Sequence, residues 1–221
     1  MTKIIFLTIL AYLLGSIPFG YIVTKLSVKK DILKIGWRKT SGSNVFKNIG
    51  IWQGIVTGIG DVGKGFLAVS IAQNCNVPGW AQALVGTAAI VGNNWSCFLK
   101  FSGGRGIGTF IGAALSFFPK TLALSLIPLI FTALIWNASL GTILSLISFI
   151  LLSFRFNQFK TAGLFGLMSL IPIFFKRLSP IEEIKKSQDK ASLIRNRFIF
   201  DDDKMYLELR IKKIFERLTK S

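Results

Sequence analysis

From Val62 to Ile181 the chain contains neither Asp nor Glu. Apolar segments fill most of that stretch, and counted over the whole chain there are seven, at roughly residues 4–24, 51–73, 80–98, 105–118, 121–136, 139–153 and 161–175. A helix that crosses a bilayer needs about 20 apolar residues. In lipid only helices and closed barrels satisfy their own backbone polar groups. The sequence therefore predicts an all-α polytopic membrane protein with about seven transmembrane helices. Segment 105–118 is short for an upright crossing at a rise of about 1.5 Å per residue, which predicts a tilted, half-buried or re-entrant helix. The first segment lacks a small-residue cleavage site followed by a soluble domain, so it reads as a retained span.

Charge sets the expected orientation. The 221 residues are 51% hydrophobic, yet the formal charge is +17. The basic residues are segregated: loop 25–49 holds seven against one acid, Asp31, and the stretch from Lys176 onward holds thirteen. The 74–79 turn, Asn-Cys-Asn-Val-Pro-Gly, holds none. By the positive-inside rule these loops belong in the cytoplasm, which predicts an outside N-terminus and a cytoplasmic C-terminus. The same rule accounts for the high pI without nucleic acid, which is not expected as a partner. The chain has no His, and Cys75 and Cys97 stand on different segments without metal-ligand spacing. Neither a metal site nor a His-based acid–base site is expected.

Two regions follow from this division: a transmembrane domain over residues 1–176 and a basic cytoplasmic tail over 177–221. In the tail, Leu207, Ile211, Ile214, Phe215 and Leu218 recur at helical spacing with Arg210, Lys212, Lys213 and Arg217 elsewhere on the helix. An amphipathic helix over about 204–218 is expected. It would lie on anionic membrane lipids or pack on the protein's own face.

Three polar or glycine-rich stretches meet the predicted cytoplasmic side. The first is Gly15–Gly20 with its Ser16, followed by Thr40-Ser41-Gly42-Ser43-Asn44. The second is Asp61-Val62-Gly63-Lys64-Gly65 in the second segment. Ionisable groups inside a span point to a functional cavity by default; a self-neutralising ion pair at i and i+3 is the structural alternative. Gly58, Gly60, Gly63 and Gly65 around them suit a close helix crossing or a ligand equally. The third is "VGNNWSCFLKFSGGRGIGTF", residues 91–110. Glycines let successive backbone N–H groups face one anion, Arg adds a planar fork, and the following helix start adds its positive end. Gly103-Gly104-Arg105-Gly106 is thus a candidate phosphate site. Lys47, Lys64, Lys100 and Arg105 all fall on or near the same side, where acids are nearly absent. With no nucleophile–base set visible, chemistry here must rest on positioning and electrostatics.

In combination and order, "GSIPFGYIVTKL" (15–26), "NVFKNIG" (44–50), "DVGKG" (61–65) and "GNNWSCFLKFSGGRGIGT" (92–109) resemble the bacterial integral-membrane acyl-phosphate:glycerol-3-phosphate acyltransferases. The resemblance implies seven membrane helices, motif loops on the cytoplasmic face of the bacterial inner membrane, and no cofactor. It implies acyl transfer from acyl phosphate to the 1-hydroxyl of glycerol 3-phosphate, giving lysophosphatidate. Taken with the reading of the residues above, it makes Asn44, Lys47 and Lys64 the expected catalytic residues, and Ser16, Ser43, Gly92, Gly103, Gly104, Arg105 and Gly106 the expected substrate-binding residues.

The match is partial. The family's first motif resembles Gly-Ser-Gly-Asn-x-Gly-Ala-Thr-Asn-x-x-Arg, and residues 36–47 read Gly-Trp-Arg-Lys-Thr-Ser-Gly-Ser-Asn-Val-Phe-Lys. Trp37 and Lys39 replace the motif's Ser and first Asn, Ser43 a Thr, and Lys47 the Arg. Asn93 stands where the family has His. The His and Asn of the third motif are absent from "FFKRLSPIEEI" (174–184). Arg38, Lys39, Ser41 and Ser43 remain available to line a phosphate pocket. Two readings follow: a divergent acyltransferase, or an impaired paralogue that binds a phospho-ligand or lipid head group without turnover.

Overall fold

The computed structural model describes residues 1–135 and 137–200. The amphipathic stretch expected over 204–218 lies outside the described residues. Twelve α-helices are formed among the described residues: α1 (Thr2–Ser16), α2 (Phe19–Val28), α3 (Gly42–Asn48), α4 (Ile51–Asn74), α5 (Gly79–Asn94), α6 (Ile107–Phe117), α7 (Pro119–Ser125), α8 (Ile127–Ile135), α9 (Ala138–Arg155), α10 (Leu164–Leu178), α11 (Ile181–Lys186) and α12 (Lys190–Phe200). A π-helical turn, Phe159–Gly163, leads into α10. Among the described residues four runs are long and apolar enough to cross a membrane: Thr2–Val28, Ile51–Asn74, Ala138–Arg155 and Phe159–Leu178. Over those residues the protein is all-helical, and it is multi-pass.

The expected segments correspond to helical elements, with informative breaks. The first segment is two helices because Pro18 has no N–H to continue the ladder, which turns the carbonyl of Ile17 sideways. The fifth divides at Leu126, beside Pro128, where the hydroxyl of Ser145 on α9 accepts from the Leu129 N–H at 3.2 Å. The third, expected to run to residue 98, ends as a helix at Asn94. There Ser96 caps a short 3-10 turn, Cys97–Leu99, by accepting from Phe98 N–H at 3.2 Å. The fourth is the eleven-residue α6, as short as its apolar run.

Lipid is as apolar as a leucine side chain, so helices in it associate through close packing rather than by escape from water. Small residues supply that packing here. A Cβ at Gly15 would overlap the carbonyl oxygen of Ala89, and one at Gly92 that of Tyr12, which fixes the α1–α5 crossing. Gly65 and Gly112 do the same between α4 and α6, against Thr109 and Val62. The glycines of α4 are therefore of two kinds: Gly60 and Gly65 meet neighbours, while Gly58 and Gly63 face open space. A second core is aromatic. Phe110 of α6 stacks on Phe165 of α10 at 5.0 Å and meets Phe149 of α9 edge-on at 5.3 Å. Large apolar side chains such as Phe6, Ile59, Leu134, Leu151 and Ile171 stay on the outside, as a lipid-facing surface requires.

Candidate active site at the basic end of the bundle

Asn44 builds the first loop. It is fully buried at the start of α3. Its amide donates to the carbonyls of Ile35 at 3.1 Å and Lys39 at 2.8 Å, and its oxygen accepts from Trp37 N–H at 3.1 Å and from Asn48 at 2.9 Å. Gly36, at φ +56°, makes the turn, and a side chain there would strike Asn44 and Asn48. The loop is folded around one amide, and its product is a fixed indole at Trp37.

Two of the expected cations meet on that indole. The Nζ of Lys47, an exposed residue of α3, lies 5.0 Å from a Trp37 ring centroid. The guanidinium carbon of Arg105 lies 4.7 Å from it. A ring face attracts a cation by about 0.5–1 kcal/mol at exposed sites, enough to orient a side chain without neutralising it. The glycine loop that carries Arg105 is tied down on both sides. Thr40 N–H donates to Gly103 O at 3.2 Å, and Gly104 N–H donates to Asn93 O at 2.8 Å. Gly103 and Gly104 lie too close to Asn93 and Asn94 for a side chain, and Gly106 takes φ +79° directly before α6. The free N–H groups of the first turn of α6 therefore face back toward the loop.

Lys64 lies deeper. Its side chain is 3% exposed and pairs with Asp61, 10% exposed, at 2.8 Å. It also donates to Asn93 Oδ1 at 2.6 Å and to the sideways carbonyl of Ile17 at 3.0 Å. An ammonium has three N–H bonds, and three acceptors surround this one. Ser16 and Gly92 belong to the same layer: Gly92 is pressed against Tyr12 and Ser16, and Ser16 accepts through its carbonyl from Ser96 Oγ at 2.6 Å. Ser43 is exposed, with its hydroxyl 3.3 Å from that of Ser41.

The last span closes the site from the other side. Lys39, nearly buried, donates to the carbonyl of Lys176 at 3.2 Å, and Asn94 donates to the carbonyl of Pro172 at 2.8 Å. Arg38 pairs with Glu183 at 2.7 Å, and Arg197 of α12 pairs with the other oxygen of the same carboxylate at 2.5 Å. The hydrogen bond from Arg38, and then that from Arg197, hold the Glu183 carboxyl below the usual carboxylate range. The structure thus brings together the 36–47 loop, the glycine loop and the end of α10.

Residues 5–187 match the family model for glycerol-3-phosphate acyltransferase. The chain belongs to that family. A glycerol-3-phosphate acyltransferase of Endomicrobium trichonymphae is 33% identical over 200 residues, covering 89% of this chain and all of that one. Another, of Carboxydothermus hydrogenoformans, is 34% identical over 84% of this chain and 95% of its own. The crystal structure of PlsY, an integral membrane glycerol 3-phosphate acyltransferase, superposes in its glycerol 3-phosphate form with a TM-score of 0.72. That match has 26% identity and covers 83% of this chain and 92% of PlsY. The lysophosphatidic acid form superposes with a TM-score of 0.71.

Against that family background, several residues passed over in the sequence carry structure. Trp37, which reads as a lost serine, is the ring on which Lys47 and Arg105 meet. Asn93, which reads as a lost histidine, joins Lys64 to the glycine loop. Trp95 and Lys176 pair near the end of α10. The one available signal for Trp37 is its place in a basic loop, where an indole face orders cations.

Proposed function

We propose that the protein is a membrane acyltransferase that uses acyl phosphate to acylate the 1-hydroxyl of glycerol 3-phosphate, giving lysophosphatidate. The observation that carries this reading is the meeting of Lys47 and Arg105, from two separate motif loops, on the ring of Trp37. Two cations brought by separate loops to one ring form a receptor for a phosphate dianion. Glycerol 3-phosphate sits against Gly103–Gly106 and Arg105, with Lys47 on the same phosphate and the Ser43 hydroxyl at the rim. Its 1-hydroxyl oxygen attacks the acyl carbonyl carbon. The carbon–oxygen bond to the donor phosphate breaks, and the departing phosphate takes the hydroxyl proton. Positioning and cationic charge then supply the rate enhancement. Asn44 acts by shaping the Trp37 platform. Lys64 acts by holding Asn93, and through it the glycine loop.

In this reading all seven apolar segments cross the bacterial inner membrane, with the N-terminus outside and the site on the cytoplasmic face. The basic loops support that orientation, and the basic tail suits anionic membrane lipids. The test is incubation of purified protein with acyl phosphate and labelled glycerol 3-phosphate. Labelled lysophosphatidate is the expected product. Its absence at protein levels where an active family member gives product would refute the activity, and binding without turnover would identify an impaired paralogue.

A further inference from the structure

The last turn of α10 holds two adjacent buried cations that are treated very differently. Arg177, 3% exposed, donates to the carbonyls of Phe198 at 2.9 Å and Ser139 at 3.1 Å, and to the hydroxyl of Thr142. Lys176 is equally buried, at 4%. Its ammonium lies 5.4 Å from a ring centroid of Trp95. Among the described residues it meets no carboxylate and no hydrogen-bond acceptor. The Nζ of Lys39 adds a second positive charge close by, on the Lys176 carbonyl. Stripping an ammonium of most of its water without a counter-ion is costly, and a ring face returns only part of that cost. An anion arriving at Lys176 would supply the rest.

An apolar groove of about 340 Å³ runs between α5 and α10 from the same place. Its walls include Val91, Trp95, Met168, Pro172 and Phe175. Trp95 is therefore both the wall of the groove and the ring beneath the ammonium. Pro172 and Lys176, four residues apart, share one face of α10. The groove also opens to the lipid side, since Phe175 and Ile171 are exposed. A cation without an anion, at the head of an apolar slot open to lipid, fits an amphiphile with a phosphate head and one alkyl chain.

We propose that Lys176 and Trp95 bind the phosphate end of the acyl donor while its chain lies in the α5–α10 groove. This rests on the acyltransferase reading. It assigns a donor subsite at a point where the third motif's His and Asn are absent. Glycerol 3-phosphate has no chain to fill the groove, so Lys176 discriminates between the two phosphorylated substrates.

The test uses the full chain in detergent and a long-chain alkyl phosphonate, which cannot transfer its chain. Binding is read by tryptophan fluorescence, alongside the KM values for acyl phosphate and glycerol 3-phosphate. In Lys176→Met the phosphonate Kd and the acyl phosphate KM rise roughly 30-fold, as expected for loss of a charged contact. The glycerol 3-phosphate KM stays within about two-fold, and the melting temperature does not fall, because an uncompensated charge has been removed. Lys176→Arg restores most of the binding. Unchanged phosphonate binding in Lys176→Met, or a weakening matched by an equal rise in the glycerol 3-phosphate KM, overturns the proposal. So does displacement of the phosphonate by anionic phospholipid at equal mole fraction. Should Lys176→Met fail to fold, a diazirine-tailed phosphonate on the unaltered protein must label the Met168–Phe175 wall; labelling elsewhere has the same consequence. If the protein makes no lysophosphatidate yet binds the phosphonate through Lys176, the activity fails and the subsite stands.

Discussion

The ion pair at Lys64 and the cation cluster on Trp37 use the same kinds of residue to opposite ends. Lys64 is enclosed, with Asp61, Asn93 and the Ile17 carbonyl each taking one N–H. Lys47 and Arg105 come from two separate loops and lie over one ring, which orients them both. A buried charge whose donors are all taken can organise a fold but has nothing left for a substrate. A π face orients a cation without itself accepting its N–H groups. The distinction separates a closed structural joint from the proposed binding surface, though both belong to one constellation of basic residues.

Substitutions at Lys64, Arg105 and Trp37 test that contrast. Lys64→Met has the largest expected effect: it leaves Asp61 charged and alone, costing about 3–5 kcal/mol. Combining it with Asp61→Leu should restore much of the loss in chemical denaturation. Full stability with abolished turnover in Lys64→Met would instead make Lys64 a reacting group. Arg105→Ala should lower kcat/KM for glycerol 3-phosphate by about 100-fold, the loss of one charge-assisted contact. Arg105→Lys should fall between, keeping the charge and losing the fork. Trp37→Leu should raise the glycerol 3-phosphate KM by about 10-fold, because two cations lose their ring, with a smaller effect on kcat.

Glu183→Gln should have the smallest effect. Glu183 is partly exposed, and solvent screens its pairs with Arg38 and Arg197. Its folded pKa is lowered, so the stability it adds is fully present above the unfolded glutamate value of about 4.3. That stability is lost as pH falls through the lower folded value. The melting temperatures of wild type and Glu183→Gln should therefore converge on acidification below pH 4. A gap that persists there would place the effect elsewhere.

The fold was legible because lipid constrains a chain so tightly. Apolar runs and basic loops locate the helices, and even the brevity of α6 is written in its run of residues 105–118. What the runs do not mark are breaks set by single residues, such as the turn at Ile17–Pro18 and the end of α5 at Asn94. In the site, the glycine loop and Arg105 were readable from local chemistry. Trp37 and Asn93 were not. Both register as losses when compared position by position, and their contacts reach residues far away in sequence. In sequence Lys176 is one charge at the start of a basic stretch, since its burial depends on α5, which no local pattern reports.

Asn93 has one more consequence. The joint between Lys64 and the glycine loop is closed by an amide, where the family resemblance leads one to expect an imidazole. An amide has no proton to exchange near neutrality, and the chain has no His to take over. No imidazole therefore shapes the rate between about pH 5 and 8, where His ordinarily titrates. Replacing Asn93 by His would introduce such a group at the joint, and a bend present in Asn93→His but absent from the unaltered enzyme would report on it.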